Sequence, residues 1–235
     1  MSFKDTYWNS EAALKFFASN NPERAIIQPK IAEQVMSSKP NLILDYGCGD
    51  GFITTLLPAT VQIDLFDKNE KLLAETINKL NKPNCNKINS DDEIHENKYD
   101  CIILSFVLVC IDTKEEQERI LKLLHKSLKK GGKLVITNSH PCFLQYSNSS
   151  FHTSFKPKCY EYLNNGEPYV VNIHQGNNKP DLSFVDYKWT LSFWLNLAQK
   201  CKFRLEKLIE VKDEKYQNLN QNKLFPPFLI LKYIK

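Results

Sequence analysis

Glycine is scarce in this chain, seven residues in 235, so any cluster of it needs a local reason. The seven cysteines, at 48, 85, 101, 110, 142, 159 and 201, form no C-x-x-C pair and no Cys/His set with zinc spacing. That excludes the common structural zinc modules, and an odd count within partly apolar runs reads as reduced thiols in a cytosolic protein. Met1–Asn9 is polar and aromatic and lacks the apolar core of a secretory leader. The longest apolar run, Cys101–Ile111, is broken only by Ser105. It is too short to cross a bilayer as a helix and reads as a buried strand. No strong charge of one sign is present either. The net charge is +4, with Lys and Glu interspersed, which argues against a nucleic-acid partner. Five lysines between Lys122 and Lys133 read as a solvated helix end. The expectation is a soluble, cytoplasmic protein with no membrane association, as a monomer or homodimer.

What is present suffices for a packed core. Hydrophobic residues make up 42% and charged residues 25%, ordinary values for one α/β domain of this length. Residues 1–37 read as N-terminal helices, with Ser10 as a cap and Pro29 opening the second helix. From 40 to 137 strands and helices alternate. Strands are expected at Asn41–Tyr46, Val61–Phe66, near Asn81–Asn89, at Tyr99–Val109 and at Lys133–Thr137. Helices lie between them: Phe52–Leu57, Lys71–Leu80, and one opened by a Thr113/Glu116 capping box and stopped by Gly131–Gly132. That order implies a doubly wound, mostly parallel sheet with helices on both faces. Residues 138–188 lose the periodicity and read as a lid insertion over the carboxyl edge of the sheet. Residues 189–235 close the single domain with a helix around Trp194 and two strands, Phe203–Val211 and Phe228–Ile234.

Three of the seven glycines fall in Leu44-Asp45-Tyr46-Gly47-Cys48-Gly49-Asp50-Gly51, between the first strand and its helix. Glycine there lets the chain turn sharply and a ligand approach the backbone. A dinucleotide fingerprint would place the third glycine at 52, which is Phe, and a P-loop would end in Gly-Lys-Ser/Thr, which is absent. Asp67 closes the second strand 22 residues after Asp45, and a carboxylate there can accept both hydroxyls of a ribose. A ribose is common to nicotinamide cofactors and S-adenosylmethionine. The G-x-G-x-G spacing and the leading Asp45 favour the second. Asp91 or Asp92, ahead of the fourth strand, could accept from an adenine amino group.

Asp45-Tyr-Gly-Cys-Gly-Asp-Gly51 resembles motif I of the class I S-adenosylmethionine-dependent methyltransferases. Phe66-Asp67-Lys68-Asn69-Glu70, Tyr99-Asp100-Cys-Ile-Ile-Leu104-Ser105 and Leu128-Lys-Lys-Gly-Gly-Lys-Leu-Val135 resemble three further motifs of that family, in its order. Tyr187-Lys-Trp-Thr-Leu191 with Ala198-Gln-Lys-Cys-Lys-Phe203 is similar to the tail of its small-molecule branch, with Lys202 where glycine is usual. The resemblance implies a Rossmann-like, seven-stranded sheet that binds S-adenosyl-L-methionine. It implies Asp45, Gly47, Cys48, Gly49 and Gly51 at the methionine end, Asp67 and neighbouring Lys68 by the ribose, and Asp91 or Asp92 by the adenine. Ser105 and Phe106 would flank the sulfonium, and Tyr7 and Trp8 could fold over the cofactor.

Methyl transfer needs a base only if the acceptor carries a proton at working pH. His140 follows the fifth strand at the ligand-binding edge and titrates near neutrality, so it is a candidate base. His174, Tyr187 and Trp189 are further candidates on the lid side. Aromatic lid residues such as Phe143, Tyr146, Phe151, Phe155, Tyr160, Tyr162 and Tyr169 suit a flat or cationic acceptor, and suit a hydrophobic lid equally. Pro141-Cys142 lies after the fifth strand, not the fourth, so it is not read as the catalytic thiol of cytosine methylation. No Asn/Asp-Pro-Pro-Tyr loop follows the fourth strand, and no acidic triad gathers near strands four and five, so no metal is expected. The expected function is methylation of an O or N atom of a small molecule. An RNA or protein methyltransferase and a non-catalytic methyltransferase-like binding subunit are the alternatives.

Overall fold

The computed structural model describes residues 8, 11–18, 24–144, 151–155, 161–173, 182–212 and 226–235. Two helices, α1 (Glu11–Ala18) and α2 (Arg24–Met36), lead into an alternating core. The core runs β1 (Leu42–Tyr46), α3 (Phe52–Thr55), β2 (Gln62–Phe66), α4 (Glu70–Leu80), β3 (Cys85–Lys87), β4 (Tyr99–Ser105), α5 (Lys114–Ser127) and β5 (Leu128–Ser139). Three lid strands follow, β6 (Phe151–Phe155), β7 (Glu167–Ile173) and β8 (Leu182–Lys188). The chain closes with α6 (Leu191–Lys200), β9 (Arg204–Val211) and β10 (Phe228–Ile234).

The main sheet has seven strands in the order β3-β2-β1-β4-β5-β10-β9. β1 to β5 run parallel, and β10 is inserted antiparallel between β5 and β9. Alternation along the central strands explains the two helical layers. Leu44, Ile102, Leu104 and Leu134 point to one side and pack with Ile120 and Leu124 of α5 and Trp194 and Leu197 of α6. Ile43, Ile63, Ile103 and Val135 point to the other and pack with Ile27, Ile31 and Val35 of α2. Each fully buried aliphatic side chain contributes roughly 1.5–3 kcal/mol, so both layers are anchored by the strands between them. The order also reverses at β1, where β2 and β4 lie on opposite sides. That places a crevice at the carboxyl ends of β1 and β4.

Several local features differ from the sequence expectation. Pro29 lies inside α2, not at its start. The helix begins at Arg24, beyond the reach of a first-turn exemption, and so gives up one backbone hydrogen bond at Pro29. Buried Ile27, Ile31 and Val35 hold the helix together across that loss. Thr113 is the cap of α5 but makes no side-chain capping bond. Glu116, its expected partner, instead binds Arg119 and Lys68. α5 ends at Ser127, and Gly131–Gly132 lies within β5, where the register against β4 shifts between Tyr99 and Cys101. The irregular lid region contains a separate antiparallel sheet, β6-β7-β8, hydrogen-bonded within itself. The expected Ser10 cap lies outside the described residues, as do Tyr7, Tyr146, Tyr160 and His174; of Phe151 only the backbone is described. No helix among the described residues is long and apolar enough to cross a membrane.

Candidate active site

β1 ends in the crevice, and its last turn carries the glycines. Gly47, Gly49 and Gly51 all have left-handed backbones, with φ of 78°, 55° and 70°. A side chain at Gly49 would lie 2.7 Å from the ring of Phe17, and one at Gly47 would lie 2.4 Å from a methyl of Val107. Only glycine therefore lets the loop sit between the N-terminal helix and the segment after β4. Gly47 and Cys48 donate their backbone N–H groups to the carbonyl of Phe66, tying the loop to β2.

Two carboxylates frame this loop. Asp45 is buried, at 1% exposure, and accepts one hydrogen bond, from Thr54 Oγ1 at 3.2 Å. Burial pushes its carboxyl up to about 7, and the nearby Asp67 and Asp50 push the same way. Asp67 accepts the N–H of Gly49 and the N–H of Asn69, both at 2.9 Å, one on each carboxylate oxygen. Burial raises its pKa, opposed by those two bonds. No Lys or Arg among the described residues forms an ion pair with either carboxylate, whereas Asp50 of the same loop is paired with Arg24. The Arg24 guanidinium also lies 5.5 Å over Phe17 and 5.2 Å over Phe52, closing that side of the loop.

These groups open onto one cavity of about 500 Å³. Its floor is Asp45 to Asp50 with Asp67 and Lys68. One wall is Ser105 to Val107, and the roof comes from Trp8, Phe16, Phe17 and the lid strands β7 and β8. Phe106 has φ of 56°, a costly conformation for an aromatic residue, held by its N–H bond to Thr137 and by Phe228 at 5.7 Å edge-on. Trp8 enters through its carbonyl, which accepts from Asn69 Nδ2 at 2.9 Å.

Residues 44–134 match the methyltransferase domain family. They form a methyltransferase domain of the class I, S-adenosylmethionine-dependent kind. No curated protein matches the sequence. Solved structures share the methyltransferase architecture at low identity. An S-adenosylmethionine-dependent methyltransferase from Mesorhizobium loti superposes with TM-score 0.59 at 18% identity, covering 86% of this chain and 96% of its own. The CcbJ methyltransferase from Streptomyces caelestis gives 0.62 at 14%, covering 88% and 94%. The 1,6-didemethyltoxoflavin-N1-methyltransferase of Burkholderia thailandensis, with 1,6-didemethyltoxoflavin and S-adenosylhomocysteine bound, gives 0.59 at 14%, covering 95% and 86%. Likeness at this identity carries the fold alone.

The crevice of this methyltransferase fits its methyl donor by charge. S-adenosylmethionine brings an ammonium and a sulfonium, and buried Asp45 and half-buried Asp67 are carboxylates with no ion-pair partner among the described residues. The structure gathers Asp45, Gly47, Cys48, Gly49, Asp67, Lys68, Ser105 and Phe106 around the cavity, together with Trp8, Tyr187 and His140. Gly51 caps α3 just behind the loop. Asp91 and Asp92 are not among the cavity's lining residues. Asp91 accepts from Tyr46 Oη at 3.0 Å and pairs with Arg119 at 2.8 Å. Trp189 donates to the carbonyl of Ile111 and stacks on Phe193, outside the cavity.

His140 lines the cavity but commits both ring nitrogens elsewhere. Nε2 lies 3.1 Å from Glu210 Oε1, and Nδ1 accepts the N–H of Cys142 at 3.3 Å. Burial lowers its pKa, opposed by Glu210. That arrangement caps the turn after β5 and leaves no ring nitrogen for a substrate proton. Sequence reasoning missed Asp186 of β8, a buried carboxyl on the cavity wall, and Phe17 over the glycine loop. Asp186 carried a weak signal: it is the acid in the alternation Phe184-Val185-Asp186-Tyr187-Lys188, where Phe184 marks the inward face.

Proposed function

We propose that this methyltransferase acts on an O or N atom of a small molecule held between the carboxyl edge of the main sheet and the three-stranded lid. The observation that carries this is the cavity of about 500 Å³ that runs from the glycine loop to β7 and β8. That size is typical of small-molecule sites, roughly 300–1,000 Å³. The Burkholderia thailandensis structure holds a small acceptor and S-adenosylhomocysteine on the same architecture, which supports the reading.

When bound, S-adenosylmethionine supplies an electrophilic methyl group on a sulfonium. In this reading Asp45 holds the ammonium of the methionine moiety, and the remaining lone pairs of Asp67 accept the ribose hydroxyls. Backbone from Gly47 to Gly49 lies along the cofactor because no Cβ intervenes. Phe106, Phe143, Tyr169 and Phe184 exclude water from the acceptor, and Tyr187 contacts it. Alignment and desolvation by such walls supply several kcal/mol of the barrier reduction.

Calorimetry with S-adenosylhomocysteine on wild type and on Gly49→Ala tests the cofactor part. The wild type binds, and the variant loses at least tenfold in affinity. A tritiated-methyl screen against metabolite extracts, total RNA and total protein tests the acceptor part. Label appearing in RNA or protein alone would reject the small-molecule reading.

A further inference from the structure

The carboxyl of Asp186 lies in lid strand β8, away from the glycine loop. It is 5% exposed and lines the cavity from the lid side. Its one hydrogen-bond neighbour among the described residues is Cys110 Sγ, 3.7 Å away, in the short turn after β4. A thiol has a single proton, and the same Sγ lies closer, at 3.1 Å, to the carbonyl of Phe106. Asp186 therefore holds at best a share of one weak donor. Lys188, two residues on and inward-facing like Asp186, is directed at Glu167, 3.5 Å away, and at the carbonyls of Glu161 and Tyr162. No Lys or Arg among the described residues forms an ion pair with Asp186. Burying an acid this way is unfavourable unless a ligand completes it.

The charge of the whole cavity points the same way. Among the described residues four carboxyls line it, Asp45, Asp50, Asp67 and Asp186, against two fixed cations, Arg24 and Lys68. Arg24 is taken by Asp50, and Lys68 by Glu116 outside the lining. S-adenosylmethionine brings one net positive charge, which leaves an excess of carboxylate for the acceptor to meet. Around Asp186 the walls are aromatic: Tyr169 is its cross-strand partner, Phe184 lies two residues away, and Phe106 lies across the cavity. Aromatic faces with a carboxylate among them favour a cation over an anion or a neutral group.

We infer that the acceptor carries a protonated nitrogen, and that Asp186 is the residue that recognises it. The inference rests on the methyltransferase reading of this cavity and names the substrate class that reading leaves open. Asp186 is a specificity determinant here. The buried acid offers an ammonium a counter-ion and offers a carboxylate or phosphate none, and the aromatic walls reward a ring or alkyl body beside the ammonium. Burial holds the Asp186 carboxyl up at about 8 in the free protein, as expected of a group lacking its counter-ion.

The test uses the full chain saturated with S-adenosylhomocysteine and three probes of matched shape: benzylamine, benzyl alcohol and benzoate. Affinities are read by ligand-observed NMR or calorimetry on wild type and Asp186→Asn, which keeps the shape and removes the charge. The expected result is benzylamine at least tenfold tighter than benzyl alcohol, with benzoate weakest. Asn at 186 should erase the amine preference while leaving S-adenosylhomocysteine affinity within twofold. Equal binding of amine and alcohol to wild type would overturn the inference. So would an amine preference that survives Asp186→Asn, or a tenfold loss of S-adenosylhomocysteine affinity in that variant, which would assign Asp186 to the cofactor. Failure of wild type to bind S-adenosylhomocysteine at all is a different outcome. It would remove the methyltransferase reading itself, whereas the other results leave that reading standing.

Discussion

Asp45 makes a prediction with two opposed signs, one for binding and one for stability. Its ordinary pKa is near 3.8, and burial raises it to about 7 in the folded protein. The ammonium of a methionine moiety needs the ionised form. About one Asp45 in ten is ionised at pH 6 and about nine in ten at pH 8, so affinity for S-adenosylhomocysteine should rise about tenfold across that range. Stability runs the other way. Between pH 4 and 7 the folded protein holds a proton that the unfolded chain has released, so folding loses free energy as pH rises through this window. The total penalty by pH 8 is on the order of 4 kcal/mol, from the conversion of the pKa change to free energy. Asp45→Asn keeps the Thr54 contact and lacks the titration. It should therefore be no more stable than wild type at pH 4, more stable at pH 8, and bind S-adenosylhomocysteine weakly with no tenfold slope. Asp67 and Asp186 also have raised values and act in the same direction, so the measure is the difference between wild type and variant. Calorimetry at pH 6 and 8, with urea unfolding of ligand-free protein at pH 4 and 8, gives both numbers. An affinity slope that persists unchanged in the variant would refute the assignment of Asp45 as the cation's partner.

Other outcomes follow from single residues. Lys202 closes α6 in the left-handed region, with φ of 68°, and Phe203 N–H reaches back to the Ala198 carbonyl as in a glycine-terminated helix. Lys202→Gly should stabilise the protein by about 1 kcal/mol, read as a higher urea midpoint at unchanged slope. His140→Asn removes the Nε2 contact with Glu210 and should cost about 1–3 kcal/mol in stability. Turnover on the acceptor found by the methyl screen should stay within about threefold at a temperature where both proteins are folded; a loss of about 10²-fold or more, the range of general-base removal, would restore His140 as the base. Tyr99 donates to the buried carboxylate of Asp64 at 2.9 Å, beside Lys98 at 2.7 Å and Asn86 at 3.1 Å. Tyr99→Phe should cost about 1–2 kcal/mol, because two donors remain, and a larger loss measured by thermal melting would mean the network fails as a unit.

The centre of the main sheet was legible because β1 and β4 are apolar on both faces and the motifs at their ends have little choice of position. Asp45 and Asp67 end β1 and β2, so pattern alone put them in the crevice. Cavity-lining Ser105 and Phe106, at the carboxyl end of β4, were named only through the family resemblance. The lid was not. Its strands alternate in short stretches between Asn-, Gly- and Pro-rich segments, and their partners are set by a hairpin register that no local period encodes. Asp186 is visible only once β8 is placed over the turn at Leu108–Cys110. His140 shows the converse. Its position after β5 was read correctly, but the contact that occupies its ring comes from Glu210, 70 residues away, and such a pairing leaves no trace in spacing. Pro29 marks a third kind of failure: tertiary burial of one helix face overrode a local breaker.

The lid strands are stitched to one another and, among the described residues, share no ladder with the seven-stranded sheet. β5 leaves the sheet at Ser139, opposite Phe228, and α6 resumes the scaffold at Leu191, so β6, β7 and β8 form a roof set on a finished building. Evolution could exchange that roof, and with it Asp186 and the choice of acceptor, while the donor's cradle stayed untouched. An engineer seeking a new substrate would start on the inward positions of β7 and β8.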